Sequence, residues 1–257
     1  MENGFHRIAG AGLWGRDLLV FDELPSTNIW AVEHIGELAH GDVIQALRQT
    51  AGRGRFKRAW AAPGKSCLTL SLVLQQPAAH AFPLPMLTPA AAIGTRNALR
   101  EFHLEPALKW PNDVLIGDRK IAGLLADDGG RPETLVLGIG INVNVTAPAL
   151  ATMRFPRAAT SMAVERNRLF DIELVCRRLL IALEKSLEAA WAGGPPSVAQ
   201  QWSAADALAG RRVTVTTPTG AATGAYAGMA PDGRLALDDA DGKRRLFWSG
   251  DVTLATS

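Results

Sequence analysis

The order of hydrophobic periodicities predicts an α/β (α+β) chain: a mixed β-sheet flanked by helices, followed by a small C-terminal β-barrel. Three observations predict it. Strand-like runs interleave with helical ones up to about Arg168. A strongly amphipathic helix then starts at Asp171. After Gly210 the texture changes to short strands separated by turn signals. The 257 residues, 47% of them hydrophobic, suffice for one large and one small domain, and the change of texture divides them into residues 1–208 and 209–257.

Leu18–Phe21 is a short apolar strand. Ser26 or Thr27 can cap the helix after it, in which Ile29, Val32, Ile35 and Ala39 recur at helical spacing. Val43–Leu47 is a second strand. Leu68, Leu70, Leu72 and Leu74 alternate with Cys67, Thr69, Ser71 and Val73, the pattern of a half-buried strand. Thr88-Pro89 opens a helix, with Thr88 as N-cap, that continues to about Phe102. Ala107–Trp110 is a strand, and Val114–Ile116 with Lys120–Leu125 forms a hairpin around Gly117-Asp118. In Thr134–Asn142, Leu135, Leu137, Ile139 and Ile141 share one face, while Val136, Gly138, Gly140 and Asn142 share the other. Two glycines and an asparagine on one face leave room for a ligand; a bulge or close strand packing accounts for them equally well. Residues 145–160 read as a loop. Asp171 caps a helix whose apolar stripe is Ile172, Val175, Leu179, Leu183 and Leu187, and Gly193-Gly194-Pro195-Pro196 breaks it before a shorter helix at Val198–Leu208. Arg212–Thr216, Thr223–Met229, Arg234–Leu237 and Arg244–Trp248 are the strands of the SH3-like barrel.

Composition excludes several classes. The net charge is +2, from 27 basic and 25 acidic residues, against the broad basic face of a general nucleic-acid binder. Cys67 and Cys176 suggest neither a disulfide framework nor a zinc site, and free thiols suit a reducing cytoplasm. The N-terminus does not read as a signal peptide, and no run is long and apolar enough to span a bilayer.

Positive charge concentrates in Gln49–Trp60, QTAGRGRFKRAW. Gly52 and Gly54 let the backbone approach a ligand, Arg53 and Arg55 offer planar donor forks to anionic oxygens, and Trp60 can stack on a flat ring. By itself such a loop serves equally for closing over an anionic ligand or for touching nucleic-acid phosphates. Three further segments accompany it: Ser26–Asn28 (STN), Lys109–Gly123 (KWPNDVLIGDRKIAG) and Gly138–Asn142 (GIGIN).

Together and in this order, these segments closely resemble the biotin protein ligases, from about Leu18 to the C-terminus. The resemblance implies a class II synthetase-like catalytic domain that activates biotin with ATP and Mg²⁺ to a biotinyl-adenylate, then transfers biotin to a lysine of biotin carboxyl carrier protein, the acetyl-CoA carboxylase subunit. It implies catalytic roles for Arg53, Arg55, Lys120 and Asp113, the last a candidate Mg²⁺ ligand. It implies biotin contacts for Ser26, Thr27, Asn28, Gln49, Gly52, Arg53, Gly54, Arg55, Lys120, Gly123 and Gly138. Nucleotide contacts fall to Arg55, Trp60, Lys109, Asn112 and Asn142. The chemistry suits the residue types: a carboxylate must approach a polyphosphate, and preorganised cations offset the repulsion, while a buried ureido ring needs paired donors and acceptors.

The match has departures. Phe56 and Lys57 stand where the family usually has Arg-Gly, and Asp127 stands where it usually has a glutamate. Only about twenty residues precede the STN region, too few for the winged-helix domain of bifunctional relatives, so no DNA binding is expected. Relatives pair through sheet edges, which makes a homodimer possible. Gly64-Lys65-Ser66 suggests a phosphate-binding P-loop, but Ala59 occupies the position where that motif needs a glycine. A nucleic-acid-binding module would leave the Lys109–Gly123 and Gly138–Asn142 patterns without a purpose. A lipoate ligase shares the architecture, but the polar set at Ser26–Asn28 and Gln49 favours a ureido ring over a dithiolane.

Overall fold

Residues 5–60, 63–75, 82–152 and 158–255 are described by a computed structural model. The alternating segments assemble into one eight-stranded sheet. Its strands are β1 (Phe5–Ile8), β2 (Leu18–Leu24), β3 (Val43–Gln49), β4 (Cys67–Gln75), β5 (Ala107–Lys109), β6 (Asp113–Ile116), β7 (Arg119–Asp128) and β8 (Thr134–Asn142). The order is β1-β2-β3-β4-β8-β7-β6-β5. β2 and β3 pair in parallel and the other neighbours are antiparallel, so the sheet is mixed, as the sequence predicts.

The two faces of this sheet bury different things. Leu68, Leu70, Leu72 and Leu74 of β4, with Leu137, Ile139 and Ile141 of β8, point into the main core. There they meet α2 (Leu87–Arg100) and α5 (Ile172–Ser203). Val73, Val136 and Ile44 point the other way, onto a smaller cluster that includes Ala31 of α1 (Thr27–Glu33). One-residue alternation thus assigns each strand residue to a layer, and β4, expected to be half-buried, is buried on both faces because a second layer covers its polar side. Gly94 of α2 permits the close crossing of α2 and α5, since a Cβ there would sit 3.0 Å from the Leu183 backbone.

α5 follows its predicted stripe: Val175, Leu179, Leu183 and Leu187 are buried. The Asp171 carboxylate accepts from the Glu173 and Leu174 amides and caps its start. The expected break is a kink at Gly194, where φ is +68°, and helix resumes to Ser203 rather than Leu208.

Other expectations need correcting. α2 does not start at a Thr88 cap; it grows out of a 3-10 turn at Leu84–Met86, so Thr88 already lies inside it. α1 stops at Glu33 because the chain turns through residues 34–37. The 145–160 segment contains α3 (Ala147–Thr152) and precedes α4 (Met162–Arg166), capped by Ser161; its residues 153–157 lie outside the described residues. β1 and the last strand of the chain were not foreseen.

After Gly210 come β9 (Arg212–Thr217), β10 (Gly220–Met229), β11 (Leu235–Asp238), β12 (Arg244–Phe247) and β13 (Asp251–Leu254). They form a five-stranded antiparallel sheet ordered β12-β11-β10-β9-β13, in keeping with the small barrel. Val213, Val215, Leu235, Leu237 and Val252 join the main core. Tyr226 donates its hydroxyl to Asp206, and Trp110 Nε1 donates to the Gly233 carbonyl at 2.9 Å. These contacts bring the second sheet against the first, where β13 closes one wall of a cavity.

Candidate active site

The cavity has a volume of about 350 Å³ and lies on the glycine-bearing face of β7 and β8. β8 places Gly138 and Gly140 there, opposite Ser71 and Thr69 of β4. Both glycines are required by close approach. A Cβ at Gly138 would stand 2.3 Å from Asn28 Oδ1, and one at Gly140 would stand 2.4 Å from the Trp60 ring. The missing side chains are what admit Asn28 and Trp60 to this face.

One end of the cavity is a polar cluster. The Thr27 amide and hydroxyl both donate to Gln49 Oε1, at 2.8 and 3.2 Å. The Ser71 hydroxyl lies 2.7 Å from Thr27 Oγ1 and 2.5 Å from Asn28 Oδ1. Asn28 Nδ2 donates to the Leu125 carbonyl at 3.1 Å and to Asp127 at 3.0 Å. Ser26, Thr27 and Asn28 are each 3% exposed, so the bonds of Thr27 and Asn28 fix those two side chains in a low-dielectric setting. Ser26 sits at the N-cap position of α1 but makes no capping bond, so its hydroxyl is not committed to the helix.

The other end is charged. Five basic residues line the cavity, Arg53, Arg55, Arg58, Lys109 and Lys120, against two acids, Asp113 and Asp251. Lys120 forms an ion pair with Asp113 and lies 5.6 Å from the Trp60 ring centre. Burial draws the Arg55 guanidinium below its ordinary value; Asp251 and Asp113 oppose that shift and Arg58 adds to it. Arg53 lies 3.6 Å from Asp127, the same carboxylate that holds Asn28. Asp127 therefore links the polar end to the arginine loop. Trp60 packs against Gly123 and Gly140 between the two ends, and its Nε1 is buried with no hydrogen-bond partner among the described residues.

The cavity wall gathers most residues singled out from the sequence: Ser26, Thr27, Asn28, Gln49, Arg53, Gly54, Arg55, Trp60, Lys109, Asn112, Asp113, Lys120, Gly123 and Gly138. Two are not in it. Gly52 lies behind the wall, pressed against the Trp60 backbone. Asn142 is fully buried beyond it, donating to the Thr160 carbonyl at 2.9 Å. Trp110, read as core, is 2% exposed and also forms part of the wall. Sequence reasoning counted Arg58 in the basic loop without giving it a site role, and missed the Gly250–Thr253 segment of the wall and Ser71, which lies behind the wall and bonds to Thr27 and Asn28. The signal for Ser71 was present, since it shares the polar face of β4 with Thr69; nothing local marked Gly250–Thr253.

The profile of the Biotin/lipoate A/B protein ligase family matches residues 19–144, and that of the Biotin protein ligase C terminal domain matches residues 209–254. The biotin--[acetyl-CoA-carboxylase] ligase of Mycobacterium tuberculosis is 32% identical over 259 residues, covering 96% of this chain and 92% of that protein. This chain belongs to the biotin protein ligase family. A bifunctional ligase/repressor of Bacillus subtilis is 29% identical over 93% of this chain and 74% of its own length. In structure, the biotin protein ligase from Aquifex aeolicus in complex with biotin and ATP superposes with a TM-score of 0.79. It covers 93% of this chain and 99% of that one at 24% identity, a likeness of fold. Biotin protein ligases are ATP-dependent enzymes, and both matched segments contribute to the cavity here: the first supplies its floor and arginine loop, the second its Gly250–Thr253 wall.

Proposed function

We propose that the chain activates biotin as biotinyl-5'-AMP and transfers it to a lysine of the biotin carboxyl carrier protein of acetyl-CoA carboxylase. The observation that carries this reading is a single cavity with a buried polar cluster at one end and an excess of cations at the other. Biotin has the same division, a ureido ring at one end and a carboxylate at the other.

In this reading Ser26, Thr27, Asn28 and Gln49 pair with the ureido ring, and Gly123 and Gly138 permit the close approach of ring and tail. Gly52 and Gly54 shape the loop that carries Arg53 and Arg55. Those arginines and Lys120 hold the biotin carboxylate against the α-phosphate of ATP. The carboxylate is already a nucleophile, so no base is needed. Its oxygen attacks the α-phosphorus, the bond to the bridging oxygen breaks, and pyrophosphate leaves. Cations fixed before the reaction offset the repulsion of the two anions without reorganising. Trp60 stacks on adenine, and Lys109 and Asn112 approach the nucleotide. The role of Asn142 is indirect: its bond to Thr160 braces the end of β8 next to the cavity.

Asp113 fits a Mg²⁺ requirement, because the ion is commonly held by one or two carboxylates together with substrate phosphates. It lines the cavity beside Lys120. A bound ion there would neutralise phosphate charge. In the second step the neutral acceptor amine attacks the acyl carbon, the bond to the phosphate oxygen breaks, AMP leaves, and the amine gives up one proton to solvent as the amide forms.

Residues 1–208 form the catalytic domain in this account and 209–257 the domain that completes its wall. No helix among the described residues is long and apolar enough to cross a membrane. Both cysteines are free and buried. A cytoplasmic location suits these thiols and the proposed acceptor.

Incubation of the purified protein with carrier domain, ATP, Mg²⁺ and biotin, read by the mass of the carrier, tests the proposal. One added biotinyl group on the carrier is expected. An unmodified carrier would reject it.

A further inference from the structure

Arg58 and Asp251 meet fork to fork: Arg58 Nη1 donates to Asp251 Oδ1 at 3.1 Å, and Nη2 donates to Oδ2. Arg55 Nη1 donates to the Gly250 carbonyl at 3.2 Å. Two arginines of the loop thus grip two successive residues at the start of β13, and all four residues line the cavity.

The two sides of this grip differ in rigidity. β13 pairs with β9 from Asp251↔Thr216 to Leu254↔Val213, and a Cβ on Gly250 would come within 2.7 Å of Val215. That side is pressed onto a sheet. The loop side is a small closed hairpin, held by Gly54 N to Arg58 O at 2.7 Å, Trp60 N to Gly52 O at 2.9 Å and an Arg53↔Ala59 bridge. Its tip, Phe56, is 47% exposed. Arg53 has its own ion pair with Asp127 and Trp60 its own packing against Gly123 and Gly140, so opening the grip frees the Arg55–Arg58 tip of the hairpin first.

We propose that Asp251 is a positioning residue: with the Gly250 carbonyl, it latches the arginine hairpin over the cavity mouth and keeps the activated acyl group from water until the acceptor arrives. The purpose of the latch rests on the adenylate reading above; the latch itself does not. Without it, water attacks the acyl carbon, the bond to the phosphate oxygen breaks, and biotin, AMP and a proton result. An ion pair this exposed is weak, which suits a contact that must open in each cycle.

Full-length Asp251→Asn and Asp251→Glu proteins test this with two readouts, once equal thermal midpoints show that both fold. The first is the rate at which trypsin cuts the Arg53–Arg58 segment without ligands. It should rise about fivefold in Asp251→Asn, the population shift expected for losing an exposed pair, and return towards the original rate in Asp251→Glu. The second is AMP released from biotin and ATP with no carrier present, which should rise by about the same factor in Asp251→Asn. An unchanged trypsin rate in Asp251→Asn overturns the latch. Faster cutting with unchanged AMP release overturns its role in retention. If labelled ATP and biotin give the unsubstituted protein neither bound adenylate nor AMP, the adenylate reading fails instead, and the trypsin comparison alone decides the latch.

Discussion

Replacing Gly138 with alanine perturbs the polar end of the cavity at one atom. The added Cβ would lie 2.3 Å from Asn28 Oδ1, 2.9 Å from its Cγ and 3.1 Å from its Nδ2, so the Asn28 amide must move. It is not free to do so, being tied to Ser71, the Leu125 carbonyl and Asp127. Moving it breaks at least one of these bonds and leaves a buried polar partner unpaired, at a cost of about 2 kcal/mol. Denaturant unfolding should register that loss of stability. Because the same amide is assigned to the ureido ring, titration calorimetry should show biotin binding weakened about thirtyfold. Gly36→Ala, away from the cavity wall, is the control: its added Cβ would meet only the end of the Arg131 side chain, at 3.4 Å, an ordinary contact. A Gly138→Ala protein with unaltered unfolding and unaltered biotin affinity would refute the assignment of this face to the ligand.

Further outcomes are expected at the two thiols, at Asp206 and at Trp60. Burial pushes both thiols up to about 12, so a thiol-specific disulfide reagent at pH 8 should find none in the native protein and two after denaturation. Since the folded values lie above the unfolded ones, the stability they contribute is complete below the ordinary thiol range and is lost as pH rises towards about 12; a stability profile rising over that interval would contradict it. Asp206 accepts from Trp202, Tyr226 and the Leu208 amide, so Asp206→Ala should cost about 3 kcal/mol in denaturant unfolding, and a loss under about 1 kcal/mol would remove its bracing role. Burial raises its carboxyl above the usual range, so its own titration favours the fold at acid pH and costs stability as pH rises through the raised value. Trp60→Ala should raise the KM for ATP about tenfold, the loss of one stacking contact; an unchanged KM would take the tryptophan off the nucleotide.

The sheet was legible because β4 and β8 carry leucine or isoleucine at every second position. Leu68–Leu74 and Leu135–Ile141 reveal which face is core, and the same alternation exposes Gly138 and Gly140 as the face left open. β1 was not legible: Phe5–Ile8 is short, mostly exposed and held by pairing with β2. The start of α2 was misread because Thr88-Pro89 has the local chemistry of a helix cap, but Leu84–Met86 already turns the chain one step earlier. At the site, residues carrying their own chemistry in compact motifs were found. What was missed is what only tertiary structure supplies. Asp251 lies 193 residues from Arg58, and no spacing rule joins them. Asn142 shares a strand face with Gly138, but at the strand end Thr160 captures its amide.

Biotin-dependent exchange of labelled pyrophosphate into ATP, compared between the unsubstituted protein and Lys120→Ala, bears most directly on whether gathered cations drive acyl activation. The account predicts exchange that requires biotin and falls by about two or more orders of magnitude in Lys120→Ala. Exchange that persists without biotin, or survives the substitution undiminished, would contradict it.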